Sequence, residues 1–242
     1  KFFIIMSFHI YPYLNESGPE NMASDYWLFH KSISSSPIFR HYGWVQPEIT
    51  FGYGQDWNWV KNQEMGESKK FTRRPTGGGI VKHGKDWTYT LILPSGHPSF
   101  FIPALDLYEK IHESIGLVLA KQGYETKLMP CPLRDQKKKG IPGNCFLEPV
   151  GRDLMTANGL NKLAGAAMKR TKIGILIQGT IDLVNIENLD LAEFQSSYIS
   201  QLSKLVCEET VVMEWMESFF EERLTYINQF ASSPWRENRK LS

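Results

Sequence analysis

The sequence predicts an α/β chain with hairpins, and three observations carry that expectation. Trp87-Thr88-Tyr89-Thr90-Leu91-Ile92-Leu93 is a strand-like run of aromatic and branched residues. Leu105, Tyr108, Ile111, Ile115, Val118 and Leu119 recur at helical spacing and stop at Gly123, where a C-terminal glycine belongs. Leu154 to Ala157, then Asn158-Gly159, then Leu160 onward, has the form of a hairpin, because Asn-Gly accepts the positive φ angles of a type I′ turn.

The other elements follow in order. Lys1-Phe2-Phe3-Ile4-Ile5-Met6 is basic then apolar, but Ser7-Phe8-His9-Ile10 interrupts it too early for a signal-peptide core, so it is expected as an edge strand. Asn21 is placed to cap a helix running from Met22 through Ala23, Tyr26, Trp27 and His30. Ile38 to Tyr42 and Glu48 to Tyr53 are β-rich, and Gly174 to Ile181 is expected as a buried strand. Val211, Trp215, Phe219, Leu224 and Ile227 line a C-terminal helix, within a helical segment of about 189–232. Turn residues are scattered and no repeat occurs, so a single domain over 1–242 is expected.

A chain of 242 residues can bury a large core. Lys plus Arg is 27 against 26 for Asp plus Glu, so bulk charge argues for neither a nucleic-acid nor a membrane partner. Three cysteines cannot build a disulfide framework, and the odd count leaves a thiol free, which suits a reducing, cytoplasmic setting. No apolar run approaches the roughly 20 residues of a membrane-spanning helix.

Two segments carry chemistry. In Arg73-Arg74-Pro75-Thr76-Gly77-Gly78-Gly79-Ile80-Val81-Lys82-His83, three glycines weaken any regular element. The segment suits either a flexible hairpin tip with solvated arginines, or backbone N–H groups and guanidiniums approaching a phosphate or a developing oxyanion. It matches neither a Walker A motif nor a dinucleotide-binding glycine loop. The second is Gly143-Asn144-Cys145-Phe146-Leu147-Glu148-Pro149, followed by Gly159-Leu160-Asn161-Lys162-Leu163-Ala164-Gly165-Ala166-Ala167. A thiol attacks as thiolate, and a nearby cation such as Lys162 favours that form. Inert packing for Cys145 and a solvated surface for Lys162 are the bland alternatives. Cys131 and Cys207 lack cationic or motif context and are expected to be structural. No His/Cys/Asp/Glu set has zinc-ligand spacing, so no metal is expected.

The stretches Arg73 to His83, Lys162 to Gly165 and Gln178-Gly179-Thr180 together resemble the three signatures of the biotin/lipoate ligase and octanoyltransferase family. Asn21-Met22-Ala23 and Arg40-His41-Tyr42-Gly43-Trp44 are similar to its early helix and strand. The resemblance implies the catalytic-domain fold of that family, α+β in type: a mixed, largely antiparallel sheet flanked by helices. Cys145-Phe146 with Pro149, and Lys162 downstream, is similar to the cysteine-dependent octanoyltransferases. That implies catalysis by Cys145 and Lys162, with octanoyl-acyl carrier protein as donor. The acceptor would be a lysine of a lipoyl domain, such as the glycine-cleavage H protein or a dehydrogenase E2. It also implies substrate binding by Arg73, Arg74, Thr76, Gly77, Gly78, Gly79, His83, Gly165, Ala166 and Thr180. Tyr89, with Trp87 and the glycine-rich loop, suits either the wall of an acyl tunnel and so substrate binding, or the core, the more usual place of an aromatic residue on a strand. The transferase needs no cofactor.

Three alternatives stay open. In an ATP- and Mg-dependent lipoate ligase, Lys162 would bind an acyl-adenylate, the two arginines would hold phosphate, and Cys145 would be incidental. An amidotransferase between lipoyl proteins, or a carrier-binding protein without turnover, is also compatible. Gln178 and Met168 depart from residues that many relatives carry. His83 could orient substrate, act as base towards Cys145 or serve structure alone. The basic run Arg134 and Lys137-Lys138-Lys139 suits either solvent or docking of an acidic carrier.

Overall fold

The computed structural model describes residues 6–31, 35–63, 70–131, 143 and 150–240. Its frame is an eight-stranded sheet. Phe8–Glu16 (β1), Ile38–Trp44 (β2), Asp86–Pro94 (β6), Thr126–Leu128 (β7), Leu154–Thr156 (β8), Lys162–Thr171 (β9), Gly174–Asp182 (β10) and Thr210–Val212 (β11) align in the order β11-β1-β2-β6-β10-β9-β8-β7. β1 runs parallel to both of its neighbours, and every other pairing is antiparallel. The sheet is therefore mixed and largely antiparallel, as the resemblance implies. Ile49–Phe51 (β3), Phe71–Arg73 (β4) and Val81–Lys82 (β5) form a second, three-stranded sheet in the order β4-β3-β5.

The expected strands 87–93 and 174–181 are central because both of their faces are covered. Leu91, Leu93, Ile175 and Ile177 join a core with Leu107, Ile111 and Ile115 of the helix Ala104–Lys121 (α3) and Phe194, Tyr198 and Leu202 of Leu191–Val206 (α4). Ile92 and Leu176, one residue out of phase, pack instead with Trp27 and Leu28 of Gly18–Lys31 (α1) and with Phe219. Alternation of period two thus presents apolar groups to helices on both sides, and fully burying each such side chain contributes roughly 1.5–3 kcal/mol. Gly123 ends α3 with φ 89°, as its position after the apolar stripe requires.

Four expectations change. α1 starts at Gly18, three residues before the expected cap, because Ser17 and Glu20 make a capping box: Ser17 N–H and Oγ donate to Glu20 Oε2 at 2.9 and 2.5 Å. Asn21 lies inside the helix, where its amide donates to the Glu16 and Gly43 carbonyls at 3.2 and 2.9 Å. The hairpin after β8 is no type I′ turn, since Gly159 has φ 76° but Asn158 is not in the left-handed region. Asn158 Oδ1 instead accepts from Thr156 Oγ1 and Leu160 N–H at 2.6 and 2.9 Å, which builds a longer loop. Val211 lies in β11, whose β-branched Thr210-Val211-Val212 pairs with β1. The helical segment is accordingly broken into α4, Glu217–Glu222 (α5), Leu224–Ala231 (α6) and Ser233–Asn238 (α7). β1 begins at Phe8, just after the stretch expected as an edge strand, and β11 covers its outer side, so it is not an edge. Lys1 to Ile5 lie outside the described residues. Among the described residues, no helix is long and apolar enough to cross a membrane.

Candidate active site

Small residues on β9 and β10 leave room for a pocket: Gly165, Ala166 and Ala167 face Thr180, Gly179 and Gln178 across the strand pair. These residues form its floor, and Met22, Tyr42, Trp44, Thr50, Arg74, His83 and Lys162 complete its wall. The cavity is narrow, with a volume of about 40 Å³.

Lys162 is buried, with 7% of its surface exposed, so its charge needs a partner. Its Nζ lies 2.8 Å from Asp153 Oδ2. Asp153 Oδ1 accepts from the Tyr108 hydroxyl at 2.5 Å, and that hydroxyl oxygen accepts from the Ala166 N–H at 3.1 Å. Burial, then the neighbouring Asp153 charge, raises the Tyr108 phenol well above its ordinary value, so it stays a donor. Gly165 makes room for this lysine, because a Cβ there would collide with Lys162 Cε and Nζ.

A second network holds the opposite wall. His83 Nδ1 lies 2.7 Å from Asp86 Oδ2, and Nε2 lies 2.7 Å from Thr50 Oγ1, with the ring stacked on Trp44 at 3.8 Å. Both ring nitrogens are thus engaged, one by the Asp86 carboxylate and one by the Thr50 hydroxyl. Thr88 and Thr180 hydroxyls donate to the same Asp86 oxygen at 2.8 and 2.6 Å. Burial pushes the Asp86 carboxyl up, but His83, Thr180 and the Gly84 N–H together hold it below its ordinary value. Under the floor, Gln178 accepts from Thr76 Oγ1 at 2.6 Å and donates to the buried Asp25 at 2.7 Å. Arg40 Nε pairs with Asp25 Oδ1 at 3.1 Å, yet burial dominates and leaves that carboxyl above its ordinary value.

The two arginines diverge. Arg74 faces the pocket, and its guanidinium donates to Thr50 Oγ1 and to the Gly77 and Gly79 carbonyls, all at 2.8 Å. Arg73 points the other way, donating to the Tyr53 and Gln55 carbonyls at 2.7 Å and to the Arg236 carbonyl at 2.8 Å while its guanidinium covers the Phe51 ring. Gly78 takes φ 83° and packs its carbonyl against Gly52, where a Cβ would not fit. Tyr89 does not line the pocket: it is fully buried among Phe39, Trp87 and Tyr198, beneath Gly179. Its aromatic surface is core packing.

The structure therefore brings Lys162, Gly165, Ala166, Thr180, His83 and Arg74 together around one pocket, with Thr76 tied to its floor and Arg73 and Tyr89 turned elsewhere. Cys145 and the basic run Arg134 and Lys137 to Lys139 lie outside the described residues. Gly143, two residues before Cys145 in sequence, is described: its carbonyl accepts from Ile80 N–H at 2.9 Å and from the Gln55 amide at 3.1 Å. Cys131 and Cys207 are exposed, and Cys207 ends α4 in the left-handed conformation. Among the described residues, no group of three or more His, Cys, Asp or Glu side chains could hold a metal. Spacing missed Asp153, Tyr108 and Asp86, which are single residues without a motif.

The lipoyl protein ligase A/B catalytic domain matches residues 17–237 of this chain. The chain is 29% identical to the octanoyltransferase LipM of Halalkalibacterium halodurans over 224 residues, covering 88% of this chain and 75% of that protein. It is 30% identical to the octanoyltransferase LipM of Bacillus subtilis over 199 residues, covering 77% and 70%. Among solved structures, it resembles protein Ta0514 of T. acidophilum, a candidate lipoate protein ligase, with a TM-score of 0.74, 16% identity and coverage of 96% and 99%. At that identity the likeness is one of fold.

Proposed function

The chain belongs to the lipoyl protein ligase A/B catalytic-domain family, and from that premise we propose that it is an acyltransferase that moves an octanoyl group onto a lysine of a lipoyl domain through a thioester on Cys145. The donor is octanoyl-acyl carrier protein. The Cys145 thiolate attacks the donor's carbonyl carbon, the new C–S bond forms, and the carrier thiol leaves as thiolate and takes up a proton. The acceptor ε-amine then attacks the acyl-Cys145 carbonyl, an amide forms, and Cys145 is released as the amine proton passes to water. Breaking a thioester to make an amide is downhill, so neither step calls for ATP or Mg. Lys162 steadies the thiolate and then the carbonyl oxygen as charge develops.

One observation carries this reading. The buried Lys162 ammonium, paired with Asp153, lines a narrow pocket whose floor includes Gly165, Ala166, Ala167 and Gly179. Two further features support it. Arg73 and Arg74, which a phosphate-holding ligase would turn to its nucleotide, spend their donors on backbone carbonyls and Thr50. Gly143 is held beside the strand that leaves the glycine loop, two residues before Cys145 in the chain. Intact-mass measurement after mixing with octanoyl-acyl carrier protein tests the reading. An octanoyl adduct is expected on the wild type and none on Cys145→Ser, with or without ATP. Transfer from free octanoate that needs ATP and survives Cys145→Ser would replace it with the ligase reading.

A further inference from the structure

Asp153 ties Lys162 to the backbone at Val150. It is fully buried. One oxygen, Oδ2, accepts both from Lys162 Nζ at 2.8 Å and from the Val150 N–H at 2.6 Å. The other, Oδ1, is held by the Tyr108 hydroxyl of α3 at 2.5 Å. Backbone bonds close the same corner: Met129 N–H donates to the Asp153 carbonyl at 2.7 Å, and Arg152 N–H donates to the Met129 carbonyl at 2.8 Å. Met129 and Val150 flank, in sequence, the stretch that contains Cys145. The chain is thus clasped where it leaves for Cys145 and where it returns, and the clasp uses the carboxylate oxygen that holds Lys162.

Resting on the reading of Cys145 and Lys162 as the catalytic pair, we propose that Asp153 is the positioning residue of the transfer, fixing Lys162 against the end of the Cys145-bearing stretch, and that Tyr108 holds Asp153 in place. A lysine side chain has four rotatable bonds, and in a pocket it stays where a geometric anchor puts it. Asp153 provides that anchor on a strand-end backbone that is itself hydrogen-bonded. Tyr108 supplies a rigid arm from α3 whose oxygen is fixed in turn by the Ala166 N–H of β9. His112, one turn further along α3 and packed on the Tyr108 ring, adds no second charge: burial lowers it to about 3 and keeps it neutral. Among the described residues, Asp153 is the acidic group paired with Lys162.

The experiment uses Asp153→Asn and Tyr108→Phe in the full chain. Thermal unfolding gives the folded fraction. The rate of octanoyl-adduct formation is measured against donor concentration, and alkylation of Cys145 by iodoacetamide is followed against pH. Displacement of a catalytic group by about 1 Å costs on the order of 100-fold, so Asp153→Asn is expected to slow adduct formation by about that factor with the donor KM unchanged, and Tyr108→Phe by about tenfold. Asp153→Asn also removes the negative charge beside Lys162, so its Cys145 alkylation midpoint moves to lower pH, whereas that of Tyr108→Phe stays at the wild-type value. A residue that only supports the fold would lose activity in proportion to the folded fraction and leave the midpoint where it was; that result overturns the assignment. If Asp153→Asn does not fold, Tyr108→Phe carries the same rate test alone, and a wild-type rate there overturns it. A wild type that forms no adduct sinks the acyl-Cys145 reading and this one with it. An adduct-forming wild type matched by Asp153→Asn sinks this one only.

Discussion

Gly165→Ala separates the position of Lys162 from the stability of the fold. An alanine Cβ at this site would overlap Lys162 Cε and Nζ and would come within 3.2 Å of Asp153 Oδ1. The first two atoms are the free end of a long side chain, so the lysine moves and the strand does not. Alanine in a strand interior is favoured over glycine by about 0.5–1 kcal/mol, which offsets part of the cost of loosening the ion pair. The melting temperature should therefore stay within a few degrees of wild type. The chemistry should not: shifting the ammonium by about 1 Å removes on the order of 100-fold in rate, or about 2.7 kcal/mol of transition-state stabilisation. Octanoyl-adduct formation followed by intact mass, with melting measured on the same preparation, checks both halves. A Gly165→Ala enzyme that acylates at the wild-type rate would refute the placement of Lys162 at the reacting carbonyl.

Gly179→Ala should cost stability. Its Cβ would run into the Tyr89 ring, which is fully buried and wedged by Phe39, Trp87 and Tyr198. Overpacking of this kind costs about 1–3 kcal/mol, read as a melting temperature lowered by several degrees, and an unchanged melting temperature would show that the ring is not fixed. Stability should also fall from pH 7 to pH 5. Burial lowers His41 to about 4 and His112 to about 3, both below the ordinary 6.5. The unfolded chain therefore binds protons that the folded chain refuses, and stability is lost as pH drops through 6.5 towards those values. At pH 5 each ring accounts for about 2 kcal/mol, so denaturant unfolding should show a loss of that order per histidine, and His112→Phe should remove its share. A flat profile between pH 7 and pH 5 would contradict the burial of these rings.

The parts of the fold visible in the sequence are those whose cause is local. The periodic apolar stripe of α3 and the branched runs of β6 and β10 are sufficient signals because each residue's neighbour in space is also near it in sequence. β11 reads as helix in the sequence because Val211, Trp215 and Phe219 keep helical spacing by accident, while the pairing that makes Thr210–Val212 a strand comes from β1, about two hundred residues away. The start of α1 could have been found, since Ser17 and Glu20 carry the capping-box spacing, but Asn21 is an equally good cap residue in isolation.

The site divides in the same way. Lys162, Gly165 and His83 were legible because glycines and a basic residue in sequence order leave a recognisable string. Asp153 was not, because its meaning is assembled from α3, β9 and the chain after residue 149. Tyr108 looked like one more apolar position of α3, and it is buried, but its hydroxyl rather than its ring connects the helix to the pocket. Tyr89 shows the converse: an aromatic residue on a strand beside the glycine loop suits either the substrate wall or the core, and alternation turns its ring to the face covered by α4. Sequence order thus reveals residues that sit in a motif string, and conceals those that are placed only by contacts from other elements. For this reason Asp153 and Tyr108 are the more demanding test of the mechanism: they should change the rate without ever touching the acyl group.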